Sequence, residues 1–359
     1  MNLKKFTRPD LADLRPYEVK DVSYRIKMDA NENPFDLPKE IKELLAAELL
    51  KHLFNRYPDP TASELRTKLS EQLRVNIEQI VMGNGSDELI SYLITAFGRD
   101  NARVVFPTPT FSMYEILARV AGVEVRSASL TEDFDISVDK LIEQLKPGGT
   151  NLVFFSYPNN PTGNCFDRQG IIDILERDDT IVIVDEAYYE FSEKTFLPIL
   201  NQYPNLVILR TFSKAYGLAG LRVGYMIAHP DIASEVHKVR LPYNLNSFSQ
   251  KVALKLLEHS HQATDQISII LKERERISQK LSQLDSIQPF PTDANFVLFR
   301  TKDNPLTPFG KGDAEDLFEH LLTKGILIRN FNRPGLLRNC LRVTVGTPEE
   351  NNTFLNGLP

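Results

Sequence analysis

Between residues 79 and 227 the chain alternates short, nearly continuous apolar runs with stretches whose apolar residues recur at helical spacing. The runs Gln79-Ile-Val-Met82, Val104-Val-Phe106, Val123-Glu-Val125, Leu152-Val-Phe-Phe155, Ile181-Val-Ile-Val184, Leu206-Val-Ile-Leu209 and Val223-Gly-Tyr-Met-Ile227 predict strands, because apolar β-branched runs bounded by turn residues suit strands buried on both faces. Helical patterns lie between them: from Leu89, near Met113 to Val120, near Val138 to Leu145, and over Ile171 to Leu175. This alternation predicts an α/β fold, a mostly parallel sheet with helices on both faces, and puts the expected ligand site at the carboxyl ends of the strands. Two helices precede it, Pro38 to about Phe54 and Ser63 to Leu73, separated by the chain-breaking Arg56-Tyr-Pro-Asp-Pro60.

After Tyr243 the pattern becomes one long helical tract, Gln250 to Leu284, with Lys272-Glu-Arg-Glu-Arg276 as its solvated face. Strands are then predicted at Asn295-Phe-Val-Leu-Phe299, Ile326-Leu-Ile328 and Leu341-Arg-Val-Thr-Val345, with a helix near Ala314 to Leu322. Thr347, Pro348 and Glu350 read as N-cap, first-turn proline and capping-box partner of a final helix. The expected division is a large domain over residues 50–255, with an N-terminal arm and a smaller α+β domain formed by 1–49 and 256–359.

At 359 residues the chain exceeds one ordinary core, in keeping with two closely packed units. A net charge of -6 without a long basic cluster argues against nucleic acid or an anionic membrane as partner. The first residues never enter an apolar run, and no 18-residue apolar stretch occurs, so export and membrane spanning are not expected. Cys165 and Cys340 stand far apart and six histidines make no motif. A reducing cytoplasm and no protein metal centre are the expectations.

The chemistry centres on Thr211-Phe-Ser-Lys-Ala-Tyr-Gly-Leu-Ala-Gly-Leu-Arg-Val-Gly224, just past an apolar run. Alone, Lys214 also reads as a surface cation. Among Thr211, Ser213, Arg222 and three glycines it reads as a desolvated amine, which is a nucleophile. Asn159-Asn-Pro-Thr-Gly163 and Asp185-Glu-Ala-Tyr188 follow other strand ends; a turn and a helix N-cap are their plainer readings. Gly83-Asn-Gly-Ser-Asp-Glu88 joins a strand to a helix, an anion-binding geometry in which Asp87 and Glu88 also simply complement the helix dipole.

In order, spacing and strand-end context these segments together resemble the fold-type I aminotransferases, which hold pyridoxal phosphate covalently on the lysine. The resemblance spans nearly the whole chain and implies a large domain with a mostly parallel sheet plus a smaller α+β domain. It implies that Lys214 is the cofactor lysine and the proton carrier, that Asp185 holds the pyridine nitrogen protonated, and that Asn160 and Tyr188 bond the phenolic oxygen. Gly85, Ser86, Asp87, Thr211, Ser213 and Arg222 would hold the phosphate, Phe111 would stack on the ring, and Tyr57 would reach a neighbouring subunit's phosphate in a homodimer. For Phe111 core packing, and for Tyr57 a turn, are the plain alternatives.

Leu14-Arg-Pro-Tyr17, Asp29-Ala-Asn-Glu-Asn33, Gly325-Ile-Leu-Ile-Arg329 and Leu341-Arg-Val-Thr-Val-Gly346 narrow the likeness to the histidinol-phosphate aminotransferases of that family. That likeness implies a phosphorylated amino alcohol and glutamate/2-oxoglutarate as substrates, with Tyr17, Asn31, Arg329 and Arg342 around them. An arm contact for Tyr17, an edge-strand cation for Arg329 and a strand-edge salt bridge for Arg342 are the alternatives. Aromatic aminotransferases and threonine-phosphate decarboxylases share fold and cofactor. A non-catalytic cofactor-sensing domain is disfavoured because no DNA-binding module precedes the core.

Overall fold

The computed structural model describes residues 3–12, 14, 22–259, 261–302 and 314–358. Seven strands form the main sheet: β1 (Ile80–Gly83), β2 (Ala102–Thr108), β3 (Glu124–Ser129), β4 (Thr150–Ser156), β5 (Thr180–Asp185), β6 (Leu206–Thr211) and β7 (Gly224–Ala228). Their order is β1-β7-β6-β5-β4-β2-β3. β7 runs antiparallel to both its neighbours, and the other pairings are parallel. The carboxyl ends of β1, β2, β4, β5 and β6 therefore share one edge.

Each strand feeds two cores, as the two-residue pleat requires. Val104, Leu152, Ile183 and Val207 face a cluster with Leu89, Ile90 and Tyr114. Val105, Val153, Val182, Val184 and Ile208 face the other, with Leu65, Leu69, Ile171 and Val252. The edge strand β3 is only partly buried. This is why its apolar run, Val123-Glu-Val125, marks the beginning of the strand and not its span.

A second sheet, β8 (Ile287–Pro289), β9 (Phe296–Thr301), β10 (Arg329–Asn330) and β11 (Cys340–Thr344), is antiparallel in the order β10-β11-β9-β8. Its core holds Phe296, Phe299, Val343, Ile277 and Phe354 and extends to Tyr188, Ala215 and Met28 beside the main sheet. Ile26–Lys27 pairs in parallel with Ile326–Leu327, which ties the N-terminal segment to this unit.

Two expected boundaries change. The helix expected from Leu89 begins at Ser86, because Gly85 takes a positive φ of 83° and turns the chain directly into a first turn bearing Asp87 and Glu88. The single tract Gln250–Leu284 is two helices, Ser247–Glu258 and His261–Ser282. The first buries Val252, Leu256 and Leu257 in the main-sheet core. The second buries Ile270, Ile277 and Leu281 in the small-sheet core, so the helix breaks where the chain passes from one core to the other. No described helix is long and apolar enough to cross a membrane.

The final helix, Pro348–Gly357, carries the expected capping box: Glu350 N donates to Thr347 Oγ1 (3.2 Å) and Thr347 N to Glu350 Oε2 (2.8 Å). Thr347→Ala should cost about 1 kcal/mol, read as a lower urea midpoint with an unchanged slope. Thr347→Ser, which keeps the acceptor, should stay close to the parent protein.

Candidate active site

The shared strand edge gathers the residues singled out above. Asp185 ends β5, Asn159 and Asn160 follow β4, Phe111 follows β2, and Gly85 to Asp87 follow β1. Thr211 ends β6, and Ser213 and Lys214 lie just beyond it.

Asp185 is 4% exposed. Its Oδ2 accepts from the Tyr114 hydroxyl at 2.9 Å, and its buried Oδ1 has no hydrogen-bond partner. Burial drives its pKa up to about 7; the Tyr114 hydroxyl and, less, the Ala187 backbone N–H oppose the shift, and the charges of Asp87 and Glu186 add to it. Tyr114 is wholly buried, stacked on Phe154 at 5.0 Å and edge-on to Phe111 at 5.6 Å. Its own pKa is raised well above the usual value by that burial and by Asp185, so it remains a donor. The sequence reading gave Tyr114 no role. The signal for it was its place three residues after Phe111, in the first turn of helix Met113–Ala121.

Lys214 is partly buried, and its Nζ donates to the carbonyl of Ala30 at 3.1 Å. Burial lowers its pKa to about 8, helped most by the Arg342 cation and opposed by Glu32 and Asp87. Ala30 belongs to a three-residue stretch of the N-terminal segment that meets the site at every step. Asn31 Nδ2 donates to the Tyr188 hydroxyl (2.9 Å), and Asn31 is fixed in turn by Thr344 through its own N–H (2.9 Å) and Oδ1 (3.1 Å). The Asp29 carbonyl accepts from Arg342 Nη2 at 2.6 Å, and Arg342 Nη1 donates to Asn160 Oδ1.

Arg342 lies on β11 between the rings of Phe296 and Phe331, at 5.0 and 5.1 Å. Its register partner across the antiparallel pair β10–β11 is Arg329. Directly opposed residues on such a pair project from the same face, so the two arginines share one side of the small sheet.

At the other end of the cluster, Arg222 Nη1 donates to Ser213 Oγ (3.3 Å), and its Nη2 pairs with Asp87 (3.0 Å). Ser213 is held by Thr211, whose Oγ1 contacts Ser213 Oγ at 3.0 Å. A Cβ at Gly85 would lie 2.5 Å from Arg222 Nη2, so only glycine lets the guanidinium approach the start of helix Ser86–Phe97. A cation, two hydroxyls and a helix N-terminus are a suitable donor set for a phosphate.

Tyr57 stands apart from these residues: it is 82% exposed and stacks on Tyr243 at 4.5 Å. Tyr17 lies outside the described residues.

Residues 24–358 match the family "Aminotransferase class I and II". The chain belongs to this family. It is 39% identical over 356 residues to the histidinol-phosphate aminotransferase of Thermoanaerobacter pseudethanolicus, covering 99% of this chain and 98% of that one. It resembles the crystal structure of the histidinol-phosphate aminotransferase from Clostridium acetobutylicum with a TM-score of 0.82 at 27% identity, over 93% of this chain and 98% of that one. The Sinorhizobium meliloti histidinol-phosphate aminotransferase, solved with pyridoxal-5'-phosphate, has the same fold, with a TM-score of 0.83 at 23% identity over 94% and 90% of the two chains. The expected fold-type I architecture, the aminotransferase activity and the pyridoxal phosphate cofactor all stand.

The residues fit that cofactor. A buried carboxylate oxygen without a partner, Asp185 Oδ1, suits a protonated ring nitrogen. An amine of lowered pKa, Lys214, suits an aldehyde. The set around Arg222 suits the phosphate.

Because the pKa of Asp185 is raised on folding, the stability it contributes is present below its ordinary carboxylate range and is lost as pH rises through about 7. Asp185→Asn keeps an acceptor for Tyr114 and removes the buried charge. It should stabilise the cofactor-free protein by on the order of a few kcal/mol at about pH 8, and by almost nothing near pH 4. Parallel thermal melts at the two pH values check this.

Proposed function

We propose that this aminotransferase exchanges an amino group between histidinol phosphate and 2-oxoglutarate, as a step of histidine biosynthesis. The observation that carries the reading is the register pairing of Arg329 with Arg342 on one face of the small sheet, with Arg342 reaching Asn160 beside the site. Two guanidinium groups suit a phosphate monoester of up to two charges, or in turn the carboxylates of glutamate. The family's relatives named as histidinol-phosphate aminotransferases support the same reading.

Pyridoxal phosphate, when bound, supplies the electron sink that makes a substrate Cα proton acidic. Lys214 would hold it covalently and, once displaced by the substrate amine, its Nζ would move the proton at Cα; a pKa of about 8 keeps a useful fraction neutral near physiological pH. Asp185, ionised, would hold the ring nitrogen protonated. Tyr188 and Asn160 would bond the phenolic oxygen, Phe111 would cover the ring, and Thr211, Ser213, Arg222 and the Gly85–Ser86–Asp87 turn would take the phosphate. Asn31 orients Tyr188 through its hydrogen bond. By the sequence likeness, Tyr17 would join Arg329 and Arg342 around the substrate.

The protein would act in the cytoplasm as a homodimer with composite sites, Tyr57 serving the partner's phosphate. Supporting this, Tyr57 is exposed, and the chain just before it exposes Leu50, at 90%, with Leu53 and Phe54, at 73%. Patches of this kind mark association surfaces.

Borohydride reduction of the holoenzyme followed by peptide mass mapping should place the pyridoxyl group on Lys214; label on another lysine would remove the centre of the assignment. The substrate is tested by kcat/KM: histidinol phosphate should exceed both histidinol and phenylalanine. Arg329→Ala should lower the phosphorylated substrate's value by about tenfold to over a hundredfold, equivalent to roughly 1.5–3 kcal/mol, and phenylalanine's by less. Parity between phenylalanine and histidinol phosphate in the parent enzyme would make it an aromatic aminotransferase instead.

A further inference from the structure

Glu186, one residue past β5, and Arg210, on β6, are both buried and take part in none of the hydrogen bonds described above, although the Glu186 charge acts on Asp185. Arg210 donates to Glu186 Oε2 through both Nε (3.0 Å) and Nη2 (2.9 Å). The same carboxylate accepts from the Thr195 hydroxyl (2.9 Å) and the Phe196 amide (2.7 Å). The guanidinium stacks on the Tyr189 ring at 3.7 Å. Its register partner on β7 is Tyr225, and Glu190 is the other carboxyl whose charge acts on it.

The pair is placed where the backbone stops holding the two strands together. β5 and β6 are in register up to Asp185 opposite Leu209, and the next backbone bond, Glu186 N to Leu209 O at 2.8 Å, follows directly. Asp185 precedes Glu186 by one residue, and Lys214 follows Arg210 by four. By the alternation of the pleat, Glu186 and Arg210 project from the face opposite Asp185 and Thr211. Stability alone does not call for such a pair, because a buried ion pair is often replaced by apolar residues at no loss.

We infer that the Glu186–Arg210 pair is a positioning device, which from the reverse face of the sheet fixes the spacing between the ends of β5 and β6 and hence between Asp185 and Lys214. It touches neither substrate nor cofactor. The inference rests on the roles given to Asp185 and Lys214 under the proposed function.

The test is the double variant Glu186→Gln with Arg210→Met, which removes both charges of the pair, keeps an acceptor for the buried Phe196 amide and the Thr195 hydroxyl, and leaves Glu190, whose pKa burial already raises to about 7, to take up a proton. With the holoenzyme, the thermal midpoint should stay near the parent's, while kcat falls by about tenfold to a hundredfold, KM changes little and the visible circular dichroism of the bound cofactor changes. A purely structural pair would give the reverse: parent kcat and dichroism in a folded double variant overturn the inference. Should the double variant fail to fold, Arg210→Lys keeps the charge but loses the planar fork and the ring stacking. A tenfold or larger loss of kcat there supports the inference, and parent kcat and dichroism overturn it.

A second readout separates this inference from the proposed function. The charges that weigh most on Lys214 are Arg342, Glu32, Asp87 and Arg222, not Glu186 or Arg210. A shift in the pH midpoint for reductive methylation of Lys214 in the cofactor-free double variant therefore reports displacement. An unchanged midpoint counts against positioning even if borohydride mapping upholds Lys214. A shifted midpoint supports positioning even if that mapping fails.

Discussion

Asp185 is a carboxylate withdrawn from water, held chiefly by the Tyr114 hydroxyl and left with one oxygen unpartnered, and much of the surrounding structure follows from that incomplete interaction. A carboxylate in such a place resists ionisation, and its pKa rises to about 7. Lys214, at the end of the adjacent strand, moves the opposite way, to about 8. Each group is thus drawn toward neutrality by the same loss of solvent. A protonated ring nitrogen would restore charge compensation at the first, and a covalent link would remove the amine's need for it at the second. The protein leaves the site electrostatically unfinished in the manner its cofactor completes.

The main sheet keeps two sets of buried polar groups on separate faces. On one, Tyr114 rises from helix Met113–Ala121 to Asp185 and touches Phe111, so a single buried ring connects the carboxylate with the residue expected over the cofactor. On the other, Glu186, Arg210, Thr195 and Tyr189 form a closed polar network. The period-two alternation that makes a strand amphipathic here lets neighbouring residues, Asp185 and Glu186, enter different networks without sharing hydrogen-bond partners. The small sheet sets Arg329 opposite Arg342.

Much of this was legible in the chain. Strands buried on both faces announce themselves as apolar runs, so β4, β5 and β6 lie almost where Leu152–Phe155, Ile181–Val184 and Leu206–Leu209 put them. The half-exposed edge strand β3 did not, because its residues alternate with solvent. The helix break between Glu258 and His261 was hidden for a different reason: both halves keep helical spacing, and only the existence of two cores separates them. Lys214 and Arg222 stand out in the chain as cations in a glycine-rich stretch just past an apolar run, whereas Asp185, Asn160 and Tyr188 are singled out only through the family resemblance. Tyr114 looked like ordinary core. Ala30 contributes a carbonyl, which no side-chain pattern encodes.

The stretch Asp29–Asn31 has a consequence for how the molecule comes into being. Its hydrogen bonds reach Tyr188, Lys214, Arg342 and Thr344, the last two across a separation of 313 residues. A ribosome therefore releases this segment long before the strand that secures it exists, and loop closure over such a distance carries a large entropic cost until the intervening cores have condensed. The main sheet can assemble while synthesis continues, but the bonds of this segment to Arg342 and Thr344 form only once β11 has been made. Sealing of the site is thereby coupled to the synthesis of β11, and a nascent polypeptide interrupted before β11 lacks these contacts however well its main sheet has formed.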